Sequence, residues 1–319
     1  MLHRRKVVLG AAGAGGAWLG GIRSARAAED LRIIVANPPG GLTDLVARAL
    51  AQGIQSRTGQ VVVVDNRPGA GGMIGVQGLL AAPADGRVLL LTTLASLIAP
   101  ALQRRTTDVL AEIEPIALIA SGGSLLLVSE KVQATDLTSF IRLAQQNPGK
   151  LSYASGGMGS TAHLMTEHLK ARLGIDLLHV PYKGGAAAAL AMRTAEVDVT
   201  IIDEANAAPL LKDGKVRVIA QTGLRPLASF PTVTRLAEVA PGFDASFWMG
   251  LSARKGTPVA QLDRLHGLVT DILQKDMQEL VRRAGLAPGS GSRADFGAFM
   301  AKEQVRWHEV IKANGITLD

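Results

Sequence analysis

The chain has 319 residues, of which 47% are hydrophobic and 19% charged, enough to bury a large core and too apolar for a disordered chain or a coiled coil. Its 3% aromatic content argues against nucleic-acid recognition by base stacking. The formal charge of +7 is concentrated at one end: five basic residues and no acid precede Ala28, and without them 29 basic residues face 27 acidic ones, so the case for a polyanionic partner falls away.

The first 27 residues read as an export signal. A basic start (Arg4, Arg5, Lys6) is followed by an apolar stretch from Val7 to Ile22 and a small-x-small site at Ala25-Arg26-Ala27. The paired arginines resemble a twin-arginine signal, with His3 and Val7 departing from the usual pattern, and the ordinary secretory route stays open. Gly10 to Gly16 holds only glycine and alanine, which partitions weakly into lipid and favours cleavage after Ala27 over anchoring. The chain has no cysteine, which excludes disulfides, thiolate metal sites and cysteine nucleophiles. No later apolar run is long enough to span a bilayer, so the expected location is the periplasm.

From Leu31 the pattern alternates between strand and helix. Leu31 to Ala36 predicts a strand, and Leu42, Leu45, Val46, Ala49 and Leu50 recur at helical spacing. Between them lies Asn37-Pro38-Pro39-Gly40-Gly41-Leu42-Thr43-Asp44. The prolines stop the strand, the glycines let backbone approach a ligand, and Thr43 is a candidate helix cap. A helix N-terminus presents unpaired N–H groups and partial positive charge, so this turn is either an anion site or an ordinary strand-to-helix connection.

Val61 to Val64 predicts a doubly buried strand, Met73 to Ala82 a helix and Val88 to Leu91 a strand, an order that argues for a mostly parallel sheet. The intervening Gly69-Ala70-Gly71-Gly72 invites a dinucleotide-binding reading, which fails because Ile74 stands where the third glycine belongs. No cofactor is expected; Asn66 and these glycines either border the cleft or form a structural turn, with the turn favoured.

The pattern restarts with strands at Leu125 to Val128, Leu151 to Ala154, Leu177 to Val180, Val197 to Ile202 and Val216 to Ala220. Helices are predicted at Leu137 to Gln146, Thr161 to Leu173, Ala186 to Thr194 and Ala205 to Leu211. A second glycine loop, Ser155-Gly156-Gly157-Met158-Gly159-Ser160-Thr161, again joins a strand to a helix N-terminus. Two such termini facing each other would grip one anionic group from both sides. His163, Glu167 and His168 do not form a metal site, because histidines five apart lie about 140° around a helix. Tyr182 and Lys183 either face the cleft or fix the turn they sit in. Asp203 either accepts a hydrogen bond from the ligand or caps the following helix, with the cap favoured.

The last stretch predicts helices at Val259 to Leu273, Met277 to Ala284 and Phe296 to Ile311, with Trp248 to Ser252 a strand returning to the first lobe. Residues 28–121 plus 227–319 are expected to form one lobe and residues 122–226 the other. Two crossings between lobes imply a hinge.

Together these segments resemble the substrate-binding proteins of tripartite tricarboxylate transporters, the Bug-type periplasmic receptors. The resemblance runs through Pro38-Pro39-Gly40-Gly41 with Thr43-Asp44, Val63 to Gly72, Ala84-Asp85-Gly86, Gly157-Met158-Gly159-Ser160 with His163-Leu164, and His179 to Gly184. Arg225, Phe230-Pro231-Thr232-Val233 and Trp307 with Ile311-Lys312 complete it. It implies an α/β, type II periplasmic-binding-protein-like fold: two α/β lobes joined by a hinge with a ligand cleft between them. It further implies a monomer that captures a small carboxylate and hands it to a membrane permease, without catalysis. By the same resemblance the ligand carboxylate falls to Pro39, Gly40, Gly41, Thr43 and Asp44 in one loop and to Gly159, Ser160, Thr161 and His163 in the other, with Ser155 at the start of that second loop a further ligand-binding candidate. The family's second-lobe acidic position can select an amino-acid ligand, and the resemblance matches it to Asp203. Asn37 stands where the family commonly has an aromatic residue, which bears on ligand identity. Two other readings are open: an extracytoplasmic sensor for a signalling system, and an exported hydrolase using Ser160 and His163, for which no G-x-S-x-G elbow is present.

Overall fold

The computed structural model describes residues 30–103 and 107–317. The expected export signal, residues 1–27, lies outside the described residues. The chain builds two sheets, each the centre of one α/β lobe.

In the first lobe, β1 (Leu31–Val35), β2 (Val62–Asn66) and β3 (Val88–Thr93) are parallel, with β1 in the middle. They are joined by α1 (Leu42–Thr58) and α2 (Met73–Leu80). β1 and β3 are apolar runs largely buried on both faces, with Arg32 exposed. β2 is the edge of the sheet, and Val61 just before it and Val63 within it are 49% and 43% exposed, so it is not the doubly buried strand its valines predicted. Val46, Ala47, Leu50 and Ile54 bury one stripe of α1, and Gly59 ends it in the left-handed conformation (φ 68°) that glycine adopts without steric cost.

The next segment, α3 (Leu94–Leu102), α4 (Val109–Glu112) and β4 (Ile113–Gly122), was not anticipated from the sequence. Pro100 sits inside α3 and Pro115 inside β4, so each element contains the residue that normally ends it.

The chain then enters the second lobe. β5 (Leu125–Ser129), α5 (Leu137–Gln146), β6 (Ser152–Ser155), α6 (Thr161–Leu173), β7 (Leu178–Pro181), α7 (Gly185–Arg193), β8 (Val199–Ile202), α8 (Glu204–Lys212) and β9 (Val216–Gln221) follow in order. The sheet order is β7-β6-β8-β5-β9, with β6 parallel to both its neighbours and β5 antiparallel to β8 and β9.

After α9 (Leu236–Val239) the chain returns as β10 (Phe247–Arg254), which inserts antiparallel between β3 and β4. α10 (Val259–Ile272), α11 (Gln278–Arg283), β11 (Ala287–Pro288) and α12 (Arg293–Asn314) complete the first lobe, whose sheet order is β11-β4-β10-β3-β1-β2. Both sheets are therefore mixed rather than mostly parallel. The parallel part is the β-α-β-α-β unit that the sequence displayed. α12 starts three residues earlier than its apolar spacing predicted, because Ser292 and Asp295 form a capping box.

The two crossings between lobes are bonded to each other. Ser124 N–H donates to Thr222 Oγ1 and Thr222 N–H donates to Ser124 O, both at 2.9 Å. Beside them Gly123 and Gly223 pack so closely that a Cβ on Gly123 would lie 2.9 Å from the Gly223 nitrogen. A second bridge forms through α12. Trp307 meets the edge of His168 on α6, and His168 stacks on Phe243 with centroids 4.9 Å apart.

Candidate functional site: a cleft between two helix N-termini

The first wall is the turn into α1. Gly40 holds φ 86°, and Gly41, extended at φ −88°, ψ 175°, is the N-cap. The cap is therefore Gly41, and Thr43 lies inside the first turn. A glycine cap brings no side chain to the first N–H groups of the helix, so they stay open to an anion. Asp44 is buried and ties the turn together: it accepts from Gly40 N–H at 3.0 Å and from Arg48 Nε at 2.9 Å. Burial works against its charge, but the hydrogen bonds from Arg48 and Gly40 prevail and hold the carboxyl below its usual range.

The second wall is the turn into α6. Gly157 and Gly159 hold φ 118° and 74°, and Ser160 caps the helix by accepting from His163 N–H at 3.3 Å. Gly159 N–H donates to His163 Nδ1 at 3.1 Å, which needs a neutral imidazole there. Burial supports that state by lowering the His163 pKa. Beneath the loop three rings stack: His163 on His179 at 4.3 Å and His179 on Tyr153 at 4.6 Å. Ser155 Oγ lies 2.7 Å from His179 Nε2, and Tyr153 OH donates to Glu167 at 2.6 Å. Burial drives the His179 pKa down to about 4, so this column is uncharged at neutral pH.

Two further segments close the space. Asp203 is the N-cap of α8, accepting from Asn206 N–H at 3.0 Å and Asn206 Nδ2 at 2.8 Å, and burial pushes its carboxyl pKa up. The turn Lys183-Gly184-Gly185 opens α7, and a Cβ on Gly184 would lie 3.3 Å from Pro38 of the opposite lobe. The lobes thus meet across the cleft.

A cavity of about 120 Å³ lies between these walls. The first lobe contributes Pro39, Gly41 and Thr43, and the second contributes Ser160, Thr161 and Asp203. Gly40, Asp44, Ser155, Gly159 and His163 do not reach its surface. They stand one layer behind, where their hydrogen bonds shape the two turns. Phe247 and Ser124 close the end nearest the crossings, and Lys183 lines the wall as one sequence reading had it. Phe247 was out of reach of sequence reasoning, because β10 joins the site only through long-range pairing.

Among the described residues no three His, Asp or Glu side chains gather as a metal site, and no helix is long and apolar enough to cross a membrane. His168 points away from the cleft, into the Phe243–Trp307 contact.

A sequence model for the tripartite tricarboxylate transporter family receptor matches residues 46–316. This chain belongs to that receptor family. Among its relatives is BugT of Bordetella pertussis, 31% identical over 296 residues that cover 91% of each chain. A Rhodopseudomonas palustris structure with adipate is 30% identical, with a TM-score of 0.82, covering 91% of this chain and 98% of that one. A structure of MatC from the same organism with bound malate is 26% identical, with a TM-score of 0.82, covering 89% of this chain and 99% of the other.

Proposed function

We propose that this protein is an exported periplasmic receptor that captures a small carboxylate between its lobes and delivers it to the membrane permease of a tripartite tricarboxylate-type transporter, without chemical turnover. The observation that carries this reading is the convergence of two helix N-termini, α1 from one lobe and α6 from the other, on one cavity. Each terminus offers unpaired N–H groups and a positive dipole end, so a carboxylate bound there is held by both lobes at once and favours their closure. The adipate and malate in two related structures are ligands of the same chemical class.

Closure takes place between residues 28–121 plus 227–319 and residues 122–226, with the bonded crossings at Ser124 and Thr222 as the hinge. The absence of turnover is supported by how Ser160 and His163 are used. The hydroxyl oxygen of Ser160 accepts from the His163 backbone, while His163 Nδ1 accepts from Gly159, so the pair is not arranged as nucleophile and base. That one chain supplies both walls of the cavity supports a monomer as the acting unit.

The test is thermal denaturation of the mature chain against a panel of carboxylates and amino acids. A ligand at 100 times its Kd adds about 2.7 kcal/mol to the folded state. The reading predicts a concentration-dependent rise in Tm with at least one carboxylate, and a panel that produces no shift contradicts it.

A further inference from the structure

The small cavity adjoins a larger chamber of about 530 Å³, within the range of small-molecule pockets. One wall of this chamber is the turn Gly69-Ala70-Gly71-Gly72, where four successive residues hold positive φ (122°, 49°, 63° and 103°). Ala70 is one of two non-glycine residues with positive φ among the described residues. Such backbone is costly for a residue with a Cβ and tends to persist at ligand-binding sites. Its effect here is a wall with almost no side chains. Gly72 sits so close to α3 that a Cβ would lie 3.2 Å from the Ser96 Cα.

The rest of the lining carries few polar side chains, and Ser160 among them already caps α6. Ala36 and Ala95 are small, and Met158 supplies a flexible thioether at the rim. Thr93 and Ser96 reach the chamber but are engaged with each other in the capping box of α3. Thr93 N–H donates to Ser96 Oγ, and Ser96 Oγ donates to Thr93 O, both at 2.9 Å. No acidic side chain lines the chamber. Its one charged residue, Lys183, is shared with the smaller cavity, as is Asn37.

A dicarboxylate would therefore bring its second charge to a space whose single cation, Lys183, lies at the boundary with the smaller cavity. A cationic tail would likewise find no acidic partner in the chamber. Burying either charge without a partner is costly, whereas an apolar group gains by leaving water.

We propose that the ligand is a monocarboxylate with an uncharged tail of ring size, its acid in the smaller cavity and its tail in this chamber. This inference rests on the carboxylate-receptor reading and narrows the ligand class. The side-chain amide of Asn37, at the junction of the two spaces, is placed to hydrogen-bond a neutral substituent such as a hydroxyl.

The test is isothermal titration of the full mature chain with benzoate, cyclohexanecarboxylate, propanoate, adipate and glutamate. At least one ring acid is expected to bind ten-fold or more tightly than adipate, glutamate and propanoate. A smaller preference, or tighter binding of adipate or glutamate, overturns the inference while leaving the receptor reading intact. Failure of every acid to bind overturns the receptor reading and the inference with it. Ala95→Leu, which projects a larger side chain into the chamber from α3, is expected to cut the ring-acid to propanoate affinity ratio at least ten-fold. An unchanged ratio in a folded variant contradicts the placement of the tail. The wild-type panel decides the question alone if that variant does not fold.

Discussion

Thr161 offers the sharpest perturbation of the proposed site. It is the first residue of α6 and lines the cavity where the ligand carboxylate is expected. Thr161→Asp places a negative charge at that helix N-terminus. The helix itself gains, since an acid in the first turn contributes about 0.3–1 kcal/mol. The bound ligand loses. Two like charges about 4 Å apart, at the effective dielectric typical of partly exposed protein sites, repel by about 4 kcal/mol. Side-chain rotation and salt screening reduce that figure, so a loss of about 2–3 kcal/mol, roughly a 30- to 200-fold rise in Kd, is the working expectation. Thr161→Asn, similar in size and uncharged, should weaken binding by less than about five-fold. The assay is calorimetric titration of both variants with the best ligand of the wild type, alongside their melting curves. If Thr161→Asp keeps its Tm and binds as the wild type does, the carboxylate does not sit at the α6 N-terminus.

Three further outcomes follow from other parts of the molecule. Gly123→Val puts a branched side chain where a Cβ already meets the Gly223 nitrogen at 2.9 Å, and overpacking of this kind should cost about 1–3 kcal/mol and lower Tm, measured by calorimetry. Asp203→Ala removes the α8 cap and should cost about 1 kcal/mol by chemical denaturation, whatever the ligand. His168 is held neutral because burial lowers its pKa from an ordinary 6.5 to about 4. The unfolded chain takes up that proton first as pH falls, so the contribution is full above about pH 6.5 and declines toward pH 4. His168→Phe, which keeps a ring against Phe243 and Trp307, should have a smaller drop in Tm between pH 7.5 and pH 4.5 than the wild type. Equal drops contradict the assignment.

The sequence displayed those parts of the fold whose causes are local. α5 and α6 matched their predicted limits because Asp136 and Ser160 cap their starts, and Asn147 and Gly174 follow their ends. β4 and β10 depend on each other, antiparallel and far apart in sequence, and β4 also carries Pro115, so its short-range signal pointed the other way. At the site, sequence reasoning reached both turns because proline, glycine and hydroxyl residues mark a strand-to-helix connection. It could not separate residues that form the cavity surface from those that brace it. Asp44 and His163 carry obvious chemistry, and the fold directs that chemistry to Gly40 and Gly159. At Gly69 to Gly72 the sequence favours a structural turn over a cleft border, because a wall made of backbone carries no side-chain signature.

The most direct measurement is the position of a bound carboxylate in a crystal structure of the liganded protein. The account predicts both carboxylate oxygens in the cavity between the two turns, within about 2.7–3.2 Å of first-turn N–H groups of α1 and α6, directly or through one ordered water. A carboxylate bound away from both helix termini, or held by one lobe alone, would contradict it.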